Sequence, residues 1–301
     1  MTQNKVAFVF PAFAIGYRED QNLLQPGFSE ILKSLIRDAS QCIDPQLDQF
    51  HPTACNFLDD ELRNQYMAYI YGCAISGFLH ERNINPHFLS GLSMGIYAAL
   101  KESGAISFTD GLFLIRKAFL EIEVVTRGQE YTMGNVIGLN ESDIRNLLER
   151  SDPSTQITNQ MAEFAFILSG KRLSIEKVLR LAKDEGAFHT RILNTEKPYH
   201  SAFLEKTNVR FEPFVRSLDI KNPSLPVLSV IDQSQLLSAE QVVKEITRNL
   251  YLPFNWYQTQ LRLQKMGVWY FYECGSSQNL AKNAKFISGS SVFLSLNSYP
   301  S

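Results

Sequence analysis

The chain has 301 residues, of which 45% are hydrophobic, enough for one large α/β domain or two smaller ones with a sizeable core. The formal net charge of −2 gives no electrostatic reason to expect nucleic acid or a membrane surface as a partner. The four cysteines lack metal-ligand spacing, so neither a bound metal nor a disulfide framework is expected. The first apolar run, residues 6–10, is too short for a signal peptide, and no run is long enough to span a bilayer. The sequence therefore predicts a cytoplasmic protein.

Strands and helices are predicted to alternate along the first part of the chain, as in a layered α/β sheet. The predicted elements are a strand at 6–10, helices at 28–39 and 58–82, a strand at 87–91, a helix ending near 102 and a helix at 108–125. Because hydrophobic strands of this length are typical of buried parallel sheets, this part belongs to a sheet covered by helices on both faces.

The middle of the chain follows a different order. Its predicted elements are a strand at 132–139, a helix at 141–149, strands at 155–159 and 164–168, a helix at 174–186 and a strand at 188–193. The order β-α-β-β-α-β is typical of a ferredoxin-like unit. The sequence therefore predicts a small ferredoxin-like domain at 129–197, inserted into a larger domain formed by 1–128 and 198–301.

Alternation of strands and helices resumes after the small domain. The predicted elements are a strand at 226–231, helices at 239–250 and 254–265, a strand at 268–273, a helix at 278–287 and a strand at 291–296. The fold class expected for the whole chain is α/β, with an α/β-hydrolase-like parallel-sheet domain and the inserted small domain.

The segment Gly91-Leu92-Ser93-Met94-Gly95 matches the G-x-S-x-G nucleophile elbow. The two glycines leave room for a sharp turn between a strand and a helix, which presents the Ser93 hydroxyl at the end of the sheet. A helix N-terminus at this point favours developing negative charge. The alternative interpretation is an ordinary glycine-rich turn between a strand and a helix.

A serine hydroxyl needs a base to become a nucleophile, and the chain contains five histidines. His200 is the best placed of them, because it lies in a loop directly after the predicted small domain, and catalytic bases are commonly held in such loops. The alternative is a surface histidine next to the following helix.

Stretches from about residue 5 to about residue 297 together resemble the malonyl-CoA:acyl carrier protein transacylases and the related acyltransferase domains of polyketide synthases. In chain order they read V-A-F-V-F-P, G-L-S-M-G-I-Y-A-A-L, M-G-N-V-I-G-L, I-L-S-G-K, P-Y-H-S, L-P-V-L-S-V-I, L-Y-L-P-F-N-W and Y-E-C-G. No single stretch is decisive, but their order and spacing match the family over nearly the whole chain. Members of the family carry a ferredoxin-like domain at the place where the sequence predicts the small domain.

The resemblance implies a role for each matching residue. Ser93 is expected to hold the acyl group as an ester, and His200 to act as its base. Asn249 occupies the position that orients the histidine through a backbone carbonyl, where the family has glutamine. The oxyanion hole is expected to use the backbone N–H groups of Phe13 and Met94.

The resemblance also implies substrates and partners. No bound cofactor is expected, because coenzyme A or phosphopantetheine serves as the thioester substrate. The expected partners are an acyl carrier protein and an acyl-CoA or acyl-phosphopantetheine, and the chain is expected to be a monomer. Because carrier proteins are acidic, a basic face is expected near the pocket. Lys171, Arg172, Lys177 and Arg180 are candidates for it, and a solvated helix face is the alternative.

The chain departs from the family at the position that selects the substrate. Malonyl-using members hold the free carboxylate with an arginine on the helix after the elbow, and an ungapped alignment places Ala118 there. Arg116 lies two residues earlier, about 200° around a helix, and reaches the pocket only if the alignment shifts locally. Burying a malonyl carboxylate without a partner is costly, so the expected acyl group is uncharged.

Further positions expected to contact the substrate differ from the family or vary within it. Leu92 replaces the histidine of the family's G-H-S-x-G, which makes the pocket more apolar. Asn159 and Met161 stand where the family has a pair of asparagines, so only the first amide is kept. Tyr199 precedes His200 at a position that helps to select the acyl group in related domains.

Three activities remain open from the sequence. The first is transfer of an acyl group, not malonyl, between a thioester and acyl carrier protein in fatty-acid or polyketide biosynthesis. The second is hydrolysis of acyl-carrier-protein thioesters, as in the editing hydrolases of polyketide synthases. The third is malonyl transfer, if Arg116 reaches the pocket. A catalytically silent homologue that only docks carrier proteins is less consistent with the presence of both Ser93 and His200.

Overall fold

The computed structural model describes residues 5–12, 27–51, 60–276, 278–287, 289 and 291–295. The strands of the larger sheet are β1 (Lys5–Phe10), β2 (Phe88–Gly91), β7 (Val227–Leu228), β8 (Gln235–Leu236), β10 (Val268–Glu273) and β11 (Val292–Leu294). Their order in the sheet is β11-β10-β1-β2-β7-β8. All neighbours pair in parallel except β7 and β8, which are antiparallel. The central strands β1 and β2 are buried because helices cover both faces of the sheet.

Helices pack around the larger sheet. They are α1 (Phe28–Cys42), α2 (Glu61–Glu81), α3 (Gly95–Glu102), α4 (Phe108–Thr126), α7 (Asn208–Arg216), α8 (Ala239–Asn249), α9 (Trp256–Lys265) and α10 (Asn279–Ala284), and short 3₁₀ helices lie at Pro45–Gln49 and Ala202–Thr207. Helix α2 packs against α1, α3 and α4, so its side chains are buried on nearly every side. In the described ranges, no helix has both the length and the hydropathy needed to cross a bilayer.

The small domain has the predicted order of elements. These are β3 (Tyr131–Ile137), α5 (Glu141–Ser151), β4 (Gln156–Ala162), β5 (Ala165–Lys171), α6 (Arg172–Asp184) and β6 (His189–Ile192). The strands pair antiparallel in the order β6-β3-β5-β4. Helices α5 and α6 cover one face and close a separate apolar core. The α/β fold class with a ferredoxin-like unit is therefore confirmed.

Four elements of the larger domain's second part differ from the expectation. The strand predicted at 226–231 is only two residues long, because the Ser229 hydroxyl accepts hydrogen bonds from the backbone N–H groups of Ile231 and Asp232 and turns the chain. The helix predicted from 254 begins at Trp256, because Asn255 caps it and the two residues before form β9 (Phe254–Asn255). Strand β9 pairs in parallel with β4, so the small sheet gains a strand from the larger domain. Helix α7 was not predicted.

Candidate active site

The turn that carries Ser93 is as tight as its two glycines predict. A Cβ atom on Gly91 would overlap the backbone of Gly95, and a Cβ atom on Gly95 would overlap the carbonyl oxygen of Phe10. The Leu92 N–H donates to that same Phe10 oxygen at 2.8 Å, which fastens the turn to β1. Ser93 has a φ of +56°, a left-handed conformation that costs a non-glycine residue free energy and is common at functional sites. Its side chain is half-buried at the start of α3.

Ser93 and His200, 107 residues apart in the chain, meet through their side chains. The distance between Ser93 Oγ and His200 Nε2 is 2.8 Å. On the other side of the ring, Nδ1 lies 2.7 Å from the backbone carbonyl oxygen of Asn249. A carbonyl only accepts hydrogen bonds, so Nδ1 carries the proton in the neutral ring and Nε2 is left to accept the serine proton. The arrangement is that of a nucleophile, a base and a group that orients the base.

Backbone and side-chain hydrogen bonds hold the His200 loop from both domains. The His200 N–H donates to the carbonyl oxygen of Leu250, after α8, at 3.0 Å. From the small domain, the Ser169 hydroxyl donates to the Tyr199 carbonyl at 2.9 Å. His200 itself has a φ of +60°, so it shares the left-handed backbone conformation of Ser93. These contacts keep the ring in place against Ser93.

Burial controls the charge of His200. The residue is 7% exposed, and the centroid of its ring lies 4.0 Å from that of Phe254. Desolvation of the charged form lowers the pKa of His200 to about 4, although the hydrogen bond to Asn249 acts in the opposite direction. The imidazole is therefore neutral near pH 7, as a general base must be.

Comparison with known proteins gives relatives and solved structures but no matching protein-family model. The malonyl CoA-acyl carrier protein transacylase of Buchnera aphidicola is 23% identical over 94% of this chain and 92% of its own length. The transacylase of the same name from Bacillus subtilis is 24% identical over 67% of this chain and 64% of its own length. The solved malonyl CoA-acyl carrier protein transacylase of Coxiella burnetii superposes with a TM-score of 0.88 at 25% identity, covering 98% of this chain and 94% of that one.

The chain belongs to the malonyl-CoA:acyl carrier protein transacylase family of acyltransferases. The resemblance expected from the ordered motifs is thereby confirmed. A further solved structure shows a type II polyketide synthase acyl carrier protein in complex with its malonyl-transacylase. It has 21% identity and a TM-score of 0.88 over 98% of this chain and 96% of that one.

One of the two expected oxyanion donors lies in the described structure. The backbone N–H of Met94 follows Ser93 at the N-terminal end of α3, where the helix dipole favours negative charge. The neighbouring N–H groups of Gly95 and Ile96 are occupied, since they donate to the carbonyl oxygens of Leu92 and Ser93. Phe13, the second expected donor, lies outside the described residues.

A cavity of about 420 Å³ opens onto Ser93 and His200 between the two domains. Three of the residues expected to bind substrate line it, namely Leu92, Asn159 and Tyr199. The Asn159 Oδ1 atom accepts a hydrogen bond from the backbone N–H of Trp256 at 3.3 Å, which holds the Asn159 amide at the start of α9. The lining is completed by Ala12, Met133, Ile167, Arg191, Leu193, Asn194, Thr195, Phe254 and Asn279.

Other predicted substrate contacts lie elsewhere. Ala118 is buried in the main core and is not among the described residues that line this cavity. Met161 is also buried outside the lining, with its sulfur 2.9 Å from Asn159 Nδ2. Arg116 is exposed on α4 and does not line the cavity. Its exposed position follows from the spacing, because two residues turn a helix by about 200°.

Tyr199 is fixed by polar groups at the start of α2. Its hydroxyl donates to Glu61 Oε1 at 2.7 Å and accepts from Gln65 Nε2 at 3.1 Å. Burial raises the pKa of Glu61 above its ordinary value, while the hydrogen bond from Tyr199 opposes that change. Lys197 forms an ion pair with Glu123 of α4. The Tyr199 ring is therefore a rigid part of the cavity wall with an acidic group directly behind it.

Several residues that line the cavity do not appear among the sequence predictions, and three of them bear on the chemistry of the site. Phe254 covers His200, and Met133 and Arg191 reach the cavity from the small domain. The strand alternation of β3 and β6 indicates which of their side chains share a face, but not that this face looks onto Ser93. Phe254 belongs to the L-Y-L-P-F-N-W stretch, so this motif was the available signal for its position.

Proposed function

We propose that the chain transfers an acyl group between a thioester of coenzyme A or a carrier protein and an acyl carrier protein, through an ester on Ser93. The observation that carries the proposal is the hydrogen-bonded series from Ser93 through His200 to the Asn249 carbonyl, located in a cavity between the domains. Membership of the transacylase family and the solved complex of a relative with its acyl carrier protein support it.

Each half of the reaction uses the same groups. Ser93 Oγ attacks the thioester carbonyl while His200 Nε2 takes its proton, and the Met94 N–H at the start of α3 stabilises the oxyanion. The carbon–sulfur bond then breaks, and His200 returns the proton to the leaving thiolate. In the second half, the carrier's thiol gives its proton to His200 and attacks the acyl-Ser93 ester. The thioester forms as the ester bond breaks, and His200 returns the proton to Ser93 Oγ.

We further propose that the acyl group is uncharged. Position 118 is a buried alanine, and the nearby Arg116 is exposed outside the cavity. Among the described lining residues, only Arg191 carries a permanent positive charge, and it is exposed in the small domain. Glu61 lies behind Tyr199 at the other wall. A malonyl carboxylate beside Ser93 would lose its hydration without gaining a partner of opposite charge.

The test is intact-protein mass spectrometry of the wild type with malonyl-, acetyl- and medium-chain acyl-CoA, before and after addition of a carrier protein. Ser93→Ala removes the nucleophile, and Ser217→Ala is the matched control because Ser217 is exposed at the end of α7. We expect an adduct of the mass of a neutral acyl group on wild type and Ser217→Ala only, which disappears when the carrier protein accepts the acyl group.

Other outcomes identify the alternatives. Consumption of the thioester without a lasting adduct, and with release of free acid, would indicate hydrolysis instead of transfer. A malonyl adduct formed as fast as the acetyl adduct would contradict the proposal of an uncharged acyl group. Equal thioester consumption by wild type and Ser93→Ala would remove Ser93 from the reaction altogether.

A further inference from the structure

Arg191 faces the cavity from the outer edge of the small domain. It lies on β6, the edge strand, opposite Asn135 of β3. A Cβ on Gly134 would lie 3.0 Å from Ile175 of α6, so the Gly134 side of β3 faces the helices. Side chains alternate along a strand, which places Asn135 and its partner Arg191 on the opposite face. Arg191 is accordingly part of the lining of the Ser93 cavity.

No described residue neutralises the charge of Arg191. Its side chain is exposed, and within the described ranges it takes part in no ion pair. It also lines a surface depression of about 330 Å³ together with Arg180 and Lys183 of α6, both exposed, and Glu176. Because Arg191 belongs to both the depression and the cavity, it marks the point where the route to Ser93 meets a positively charged surface.

We propose that Arg191 binds a phosphate group of the pantetheine arm while the thioester at the other end reaches Ser93. The planar guanidinium presents paired N–H donors that match phosphate oxygens. The exposed position at the edge of the cavity fits the solvated end of the arm, whereas an acyl group attached to Ser93 lies in the half-buried interior. This inference rests on the proposed transfer reaction.

The phosphate has two sources, the pyrophosphate of coenzyme A and the phosphodiester of a carrier protein. Kinetics with three donors of the same acyl group separate them: acyl-CoA, acyl-carrier protein and acyl-N-acetylcysteamine, which has no phosphate. For Arg191→Gln we expect KM to rise about tenfold for the phosphate-bearing donors, with kcat within about twofold of wild type. The value of kcat/KM for acyl-N-acetylcysteamine should not change. Arg210→Gln, at an exposed arginine of α7, is the control and should match wild type with every donor.

Binding of free coenzyme A to Ser93→Ala, with and without Arg191→Gln, gives a readout by calorimetry that needs no turnover. We expect the additional change to weaken this binding about tenfold, and Arg191→Lys to recover part of it. A rise in KM with only one donor would assign the contact to that donor's phosphate. Equal losses with all three donors, or unchanged KM values and unchanged binding of coenzyme A, would each overturn the proposal. If the wild type forms no Ser93 adduct while the calorimetric difference persists, the reaction proposal fails and the phosphate site stands.

Discussion

The pH dependence of Ser93 acylation should show that His200 is a buried, neutral base. With a pKa of about 4, His200 is neutral in about 90% of the molecules at pH 5, whereas an exposed histidine would be neutral in about 3% of them. The wild type should therefore keep nearly the same kcat/KM from pH 7.5 down to pH 5. A base with the ordinary pKa would lose activity about 30-fold over this range.

The environment that sets this pKa can be changed at Phe254, whose ring covers the imidazole. Phe254→Ala admits water to the ring, so the pKa of His200 should rise toward 6.5 and the acid limb of the profile should move with it. Phe254→Leu keeps an apolar cover and should retain a limb close to that of the wild type. Release of the thiol from acyl-CoA, followed with a dithiodipyridine reagent at acidic pH, measures the profile, and circular dichroism at each pH shows that the variants remain folded.

The same pKa has a consequence for stability. The folded protein holds His200 neutral with a pKa of about 4, whereas the unfolded chain binds a proton near pH 6.5. The contribution is therefore fully present above pH 6.5 and is lost as the pH falls from 6.5 to about 4. Its size is about 3 kcal/mol, since one pKa unit corresponds to about 1.36 kcal/mol. An acid limb of the wild-type kcat/KM profile at pH 6.5, or identical acid limbs for Phe254→Ala and Phe254→Leu, would contradict a pKa of His200 lowered by burial.

Three further predictions concern residues around the site. Gly95→Ala should unfold the chain or lower its free energy of unfolding by more than about 3 kcal/mol in a denaturant titration, because the new Cβ meets the backbone of β1. Gly77→Ala is the control: a Cβ there would have its nearest neighbour at 3.7 Å, so this variant should be as stable as wild type or more stable. Asn249→Ala should keep kcat/KM within about tenfold of wild type. The backbone carbonyl of residue 249, which the variant retains, holds His200, and the buried side-chain amide nitrogen of Asn249 has no partner among the described residues. A loss of kcat/KM as large as that of a His200 variant would contradict this. Tyr199→Phe leaves the half-buried Glu61 carboxylate without the Tyr199 donor, which should lower the free energy of unfolding by about 1–3 kcal/mol. An unchanged stability in thermal unfolding would show that Glu61 does not need that hydrogen bond.

Local sequence was sufficient for the parts of the fold that depend on neighbouring residues. The elbow was predicted because Gly91 and Gly95 are required by contacts inside one short turn and with the adjacent strand. The order of elements in the small domain was predicted because hydrophobic periodicity distinguishes strands from helices. Errors arose where side-chain hydrogen bonds ended an element, as Ser229 does after β7 and Asn255 does before α9.

The nucleophile elbow, the ferredoxin-like order and the family motifs can be predicted from the amino-acid sequence alone, because the residues that form each of them lie close together in the chain. The sequence also indicates His200 as the base for Ser93, but the hydrogen bond between them across 107 residues, the cover of Phe254 over the imidazole and the place of Arg191 in the cavity lining are seen only in the folded chain. Hydrogen bonding between distant residues, desolvation and cavity walls all arise from packing between elements that are far apart in the chain. The contact between His200 and the backbone carbonyl of Asn249 is expected only from the resemblance to the family, because a backbone carbonyl leaves no trace in residue identity.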